Sequence, residues 1–186
     1  MHPIRPATES DLNALVALEN RCFTGDKLSR RSFKSLIKPG AHLASVILIN
    51  GTIAGYSIVL FRTGTSLARL YSIALDPDYR GQGLAQALLR DAESQAVARH
   101  CLFIRLEVRN DNPAAIALYQ KLNYHAFDDI ADYYEDGCTA LRFEKRLHPE
   151  TSQTMSRAPA YYRQTTEFSC GPAALMMAMA NIRPDY

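Results

Sequence analysis

The chain predicts an α/β domain of the α+β kind, and three features point there. Asn50-Gly51 separates two β-rich runs, Val46-Ile-Leu-Ile49 and Ile58-Val-Leu-Phe61, which is the pattern of a tight antiparallel hairpin. Leu102, Ile104, Leu106 and Val108 alternate with Phe103, Arg105, Glu107 and Arg109, the period of two expected of a strand. Between these, Asp76-Pro-Asp-Tyr-Arg-Gly-Gln-Gly-Leu-Ala-Gln-Ala-Leu-Leu89 joins a strand to a helix through a basic turn broken by glycines.

Taken in order, Ile4 to Ala7 reads as a short first strand, and Thr8-Glu-Ser-Asp11 as a capping box opening a helix through Leu12, Leu15, Leu18 and Phe23. Ser29 caps a second helix over Phe33, Leu36 and Ile37, which Pro39-Gly40 stops. Ala41 to Phe61 carries no Asp, Glu, Lys or Arg, yet the Asn-Gly turn at its centre makes it two strands rather than a membrane helix. Leu67 to Leu75 is a strand that Asp76-Pro77 ends, because proline has no N–H to donate. Leu84, Leu88, Leu89, Ala92, Ala96 and Val97 recur at helical spacing as far as about His100.

After the strand at 102–109, Asn112 is a good N-cap and Pro113 suits the first helical position. Ala115, Leu118, Tyr119 and Leu122 form the apolar stripe of that helix, and Asn123 ends it. Tyr124 to Tyr134 and Thr139 to Leu147 read as two final strands, antiparallel across Glu135-Asp136-Gly137. The residues 148–160 are polar and contain two prolines, the composition of a linker after a completed domain at 1–147.

The whole composition narrows the function. The 186 residues carry 21 basic and 19 acidic side chains, a net +2, too little for an electrostatic grip on nucleic acid. Cys22, Cys101, Cys138 and Cys170 lie far apart with no C-x-x-C pair, which indicates neither a metal site nor a disulfide framework and fits a reducing cytoplasm. The N-terminus lacks the apolar stretch of a signal peptide.

In the strand-to-helix turn, Gly81 and Gly83 leave the N–H groups of the first helical turn uncovered, aligned with the positive end of the helix dipole. Arg80 adds a formal charge, so the turn suits a pyrophosphate. Arg80, Gly83 and Ala85 satisfy the pattern Arg/Gln-x-x-Gly-x-Gly/Ala and so resemble the acyl-CoA loop of the GCN5-related N-acetyltransferases. The element order β-α-α-β-β-β-α-β-α-β-β extends the resemblance to about residues 3 to 147. It implies a mixed, mostly antiparallel sheet flanked by helices, with acetyl-CoA as cosubstrate and no metal. Leu106-Glu-Val-Arg-Asn-Asp-Asn-Pro-Ala-Ala-Ile-Ala-Leu-Tyr-Gln-Lys-Leu-Asn-Tyr124 is most similar to the ribosomal-protein alanine N-acetyltransferases and departs from them at Asn123, where glycine is usual. Asn tolerates a left-handed helix end, so the fold survives the change.

The resemblance assigns roles residue by residue. Glu107 is the candidate base, direct or through one water, and the opposing reading makes it a surface ion-pair residue sharing a strand face with Arg105 and Arg109. Tyr119 is the candidate acid for the coenzyme thiolate, compatible with its ring packing in the core. The coenzyme contacts fall on Arg80, Gly81, Gln82, Gly83, Leu84 and Ala85, on Ile73 and Leu75 through their backbone, on Tyr119, and on Asn112, which also has its capping role. The acceptor side falls on Gly25 to Ser29 and Tyr133 to Gly137. The implied acceptor is a protein or peptide α-amine; a small-molecule amine, or a binding module without catalysis, are the competing functions.

Tyr161 to Met179 resembles the opening of C39-like cysteine peptidases, with Gln164 six positions before Cys170 and Gly171-Pro172 at a helix start. All five histidines precede Cys170, so no peptidase site is completed here. The expectation is a fragment of a longer acetyltransferase-peptidase fusion at 161–186, able to contact a peptidase domain or a second copy, or a helix that docks on the acetyltransferase with Cys170 as a small buried hydrophobe.

Overall fold

A computed structural model describes residues 2–147, so the expectations for the linker and for 161–186 lie outside the described residues. The chain forms β1 (Ile4–Pro6), α1 (Leu12–Cys22), α2 (Arg30–Ile37), β2 (His42–Ile49), β3 (Thr52–Phe61) and β4 (Leu67–Leu75). Then come α3 (Leu84–Ala98), β5 (Phe103–Arg109), α4 (Pro113–Lys121), β6 (His125–Ile130) and β7 (Ala140–Arg146).

Local chemistry accounts for the boundaries. The capping box at Thr8 and Asp11 forms, with one 3-10 turn leading into α1. The Ser29 hydroxyl accepts from the Ser32 N–H, and the Asn112 carboxamide from the Ala115 N–H. Asn50 and Gly51 both take positive φ, 49° and 79°, as a two-residue hairpin turn between twisted strands requires. Asn123 stands at φ 64°, the left-handed end that lets α4 stop without glycine.

The sheet order is β1-β2-β3-β4-β5-β7-β6, antiparallel at every junction except β4–β5. One face carries α1 and α2, whose Leu12, Leu15, Leu18, Phe33 and Leu36 pack with Val46, Tyr56 and Ile58. The other carries α3 and α4, where Leu89, Ala92, Ala96, Tyr119 and Leu122 bury against Ile104, Leu106, Val108 and Phe143. Gly55 lets β3 and β4 approach closely, since a Cβ there would stand 2.5 Å from Leu75 Cδ2 and 2.7 Å from the Ala74 carbonyl oxygen.

Two features of β4 position the site. It pairs with β5 only through Leu67, Ala68 and Arg69 opposite Phe103, Ile104 and Arg105, and beyond these the strands part. Opposite β3, Val59 pairs with Leu70 and Ile58 with Ser72, so Tyr71 is an inserted residue. Such a bulge re-aims the side chains next to it. Here Tyr71 and Ala74 pack toward α1 and α2, and the Ser72 hydroxyl meets the Tyr56 hydroxyl on that face.

Three expectations shift. The strand read as Tyr124 to Tyr134 ends at Ile130, because the chain turns at Asp132 with φ 52°, leaving Tyr133 and Tyr134 in a loop. Leu102 precedes β5 and is exposed rather than part of its buried row. Helix α1 stops at Cys22, with Phe23 already extended.

Candidate active site

The parting of β4 from β5 opens a cleft of about 830 Å³. Its walls bring together Glu107, Tyr119, Ile73 and Asn112 with Gly25, Asp26, Leu28 and Tyr134 to Asp136, from the two segments expected to meet the acceptor. Leu75 and the turn from Arg80 to Ala85 are not among the lining residues; they follow at the end of β4. There the Leu75 carbonyl already accepts the Cys22 thiol at 3.2 Å.

The turn leaves the N-terminal end of α3 uncovered. Gly81 and Gly83 have φ of 77° and 76°, and a Cβ at either would meet nothing within 4 Å, so the space over the N-terminus of α3 is open. The first intrahelical bond runs from the Ala87 N–H to the Gly83 carbonyl, which leaves the preceding N–H groups pointing out of the helix end. Arg21 of α1 holds the approach to this turn through Asp76 at 2.7 Å and Asp78 at 2.9 Å.

Glu107 is neither free nor paired with its strand neighbours. Arg105 bonds Glu144, and Arg109 bonds Asp111 and Asp136. The partner of Glu107 is Arg69 of β4, 2.9 Å from Oε2, and both side chains are only 11% exposed. Its Oε1 lies 3.7 Å from Arg142 Nε of β7, beyond hydrogen-bond length, so that oxygen keeps lone pairs for another donor. Arg69 also donates to the Tyr133 hydroxyl at 2.9 Å, which ties the 131–137 loop to the carboxylate.

Tyr119 points from α4 into the same cleft, its ring packed beside Tyr124 and Phe143. Burial pushes its hydroxyl up to about 12, so it stays protonated throughout the neutral range and is available as a donor. Tyr119 thus belongs to the core cluster and also lines the cleft.

Sequence reasoning missed Glu19, Tyr56, Ser72 and Arg69. Glu19 of α1 lines the cleft, is 2% exposed, and accepts the Leu28 N–H at 2.7 Å and the Tyr56 hydroxyl. Burial drives its carboxyl above the ordinary range. The signal was present: Leu12, Leu15, Glu19 and Cys22 share one helix face, and a carboxylate on an apolar stripe is a position to question. Among the described residues no group of three or more His, Cys, Asp and Glu could hold a metal, and no helix is long and apolar enough to cross a membrane.

Residues 12–124 match the model of the acetyltransferase (GNAT) family. The chain belongs to that family. A second model, of a Peptidase_C39-like family, matches residues 159–186 of this GNAT chain. An acetyltransferase of Pectobacterium atrosepticum is 33% identical over 132 residues, 68% of this chain and 90% of that protein. One from Yersinia pestis is 39% identical over 82 residues, where the match spans 57% of its length and 44% of this chain. Among solved structures, the ribosomal-protein-S18-alanine N-acetyltransferase of Escherichia coli has a TM-score of 0.72 and 30% identity, covering 87% of this chain and 100% of that one. Ard1 of Thermoplasma volcanium shares the fold at a TM-score of 0.72 and 23% identity, over 80% of this chain and 99% of that one.

Proposed function

We propose that the protein transfers an acetyl group from acetyl-CoA to a protein or peptide N-terminal α-amine. The observation that carries this reading is the cleft between the parted strands, with a buried phenol on the α4 side and an ion-paired carboxylate on the other. The open glycine turn fits the coenzyme pyrophosphate: it offers oriented N–H donors, the helix dipole and Arg80, and the space beside Gly81 and Gly83 is open. In this reading Ile73 and Leu75 near the end of β4 and Asn112 at the start of α4 contact the pantetheine arm; Ile73 and Asn112 line the cleft.

An α-amine suits this carboxylate. At neutral pH about a tenth of an α-amine is already neutral against about 0.04% of a lysine, so little is asked of the base. Glu107 Oε1 takes the proton of the ammonium, directly or through one water, while Arg69 holds Oε2. The neutral amine attacks the thioester carbonyl, the C–N bond forms, the C–S bond breaks, and Tyr119 donates its proton to the departing thiolate. The loop from Gly25 to Ser29 and the Tyr133 to Gly137 segment flank the acceptor peptide, with Arg109 stacked 4.9 Å from the Tyr134 ring centre. The similarity to an S18-alanine N-acetyltransferase over the whole of that chain supports a protein acceptor.

The chain divides in this reading into an acetyltransferase domain at 1–147, a linker at 148–160 and the opening of a C39-like domain at 161–186, acting in the cytoplasm. Glu107→Gln tests the site: with an α-amine peptide it lowers kcat most at low pH, where the ammonium predominates. An unchanged pH profile of kcat would remove Glu107 from the proton path.

A further inference from the structure

The ammonium form of an acceptor must lose two protons, one before attack and one from the nitrogen once the C–N bond has formed. Glu107 accounts for the first. The second needs another acceptor, and a buried carboxylate with a hydrogen-bonded path to the cleft lies on the same face of the sheet.

Glu19 occupies a core position on α1. Burying a carboxylate costs several kcal/mol unless it is compensated, and a glutamine could accept the Leu28 N–H just as well. The acid itself therefore calls for a reason. Its Oε2 accepts the Tyr56 hydroxyl. Tyr56 has one proton, and that proton is committed to Glu19, so in its 2.9 Å contact with Ser72 it is the serine hydroxyl that donates. The three groups form a directed chain, Ser72 to Tyr56 to Glu19, and its outer end is in the cleft because the bulge at Tyr71 turns Ser72 toward α1.

We propose that Glu19 is the terminal acceptor of the second proton, which enters at Ser72 Oγ and reaches the carboxylate by two hops through the Tyr56 hydroxyl. This rests on the acetyl-transfer reading. As the acetylated nitrogen gives its proton to Ser72, Ser72 passes its own to Tyr56 and Tyr56 its own to Glu19; the thiolate meanwhile receives the Tyr119 proton. Glu107 and Glu19 later return their protons to solvent and Tyr119 regains one, so the net products are the amide, the free thiol and one proton. The titratable and charged groups facing Glu19 are Tyr56 of β3, Tyr71 of β4, Cys22 of α1 and Lys27 of the following loop. Burial raises its carboxyl, which sets the base closer to working pH.

The test uses Glu19→Gln, Tyr56→Phe and Ser72→Ala in the full chain, with folding checked by circular dichroism. Turnover is measured with acetyl-CoA and whichever of an α-amine peptide, a lysine peptide or spermidine the wild type acetylates. Glu19→Gln is expected to lower kcat about 10²-fold at constant KM and to remove the acidic limb of the kcat profile. Tyr56→Phe follows it, and the double variant falls no further, because both break one path. A Glu19→Gln protein with kcat within twofold of wild type overturns the proposal and leaves Glu19 as the anchor of Leu28. Isotope-edited infrared titration needs no acceptor: a carboxyl protonating above the ordinary glutamate value of about 4.3 and absent from Glu19→Gln is expected. Glu19 titrating at or below that value overturns the proposal even in an active enzyme. Failure to acetylate any amine defeats the proposed function instead, and the infrared result still decides whether Glu19 has the basicity required.

Discussion

Arg69→Met breaks the contact that defines the candidate site. Arg69 and Glu107 are each 11% exposed, and removing one partner of a buried pair typically costs about 3–5 kcal/mol, because the other charge is left uncompensated. Arg142 remains 3.7 Å from Glu107 Oε1 and absorbs part of that loss, so the low end, about 3 kcal/mol, is expected. Glu107→Gln costs less, about 2 kcal/mol, since its amide oxygen still accepts from Arg69 and Arg142 keeps Asp128 at 2.9 Å. The double variant removes both charges and loses less than the sum, with a coupling of at least about 1 kcal/mol. Urea unfolding of the four proteins gives these values directly, and the melting point of Arg69→Met should fall by about 6–12 °C. Single losses below about 1 kcal/mol that add within about 0.5 kcal/mol would show that the pair does not hold Glu107 in place.

Other expected outcomes bear on the donor side and the frame. Tyr119→Phe keeps the packing with Tyr124 and Phe143 but removes the hydroxyl, and should lower kcat about 10²-fold with acetyl-CoA affinity unchanged; an unaltered kcat rules out the acid role. Gly83→Ala forces a side chain to φ 76°, costing about 1 kcal/mol of stability and weakening acetyl-CoA binding by calorimetry, whereas unchanged binding would place the pyrophosphate elsewhere. Asp11, held down to about 2 chiefly by its hydrogen bonds from Arg5, stabilises the fold above its ordinary value of about 3.9, and that contribution is lost as pH falls through about 2. Arg5 is 40% exposed, which limits the effect to about 1 kcal/mol; in Arg5→Ala acid unfolding should begin at higher pH.

What was readable in the chain was local. Ser29, Asn112, Asn50-Gly51 and Asn123 each act within a turn or a helix end, where a residue's own conformational preference decides the outcome. The glycines at 81 and 83 announce their positive φ for the same reason. The pairing of Glu107 was not readable, because Arg69, Glu107 and Arg142 come from three strands whose order depends on the whole sheet. On the period of two, Arg105 and Arg109 were the nearest charges on its face, and both prove engaged with other carboxylates. Ser72 was hidden by the bulge, since an inserted Tyr71 breaks the alternation from which a side chain's face is inferred. Glu19 was visible as a charge on an apolar stripe, but only the fold shows what it meets there.

Mass spectrometry of peptides incubated with acetyl-CoA and the protein tests the central claim most directly. Peptides with a free α-amine and internal lysines should gain one acetyl group, which fragmentation places on the terminal nitrogen, and Tyr119→Phe should slow that gain. Acetylation confined to lysine side chains, or its absence from every peptide while small amines are modified, would contradict the account.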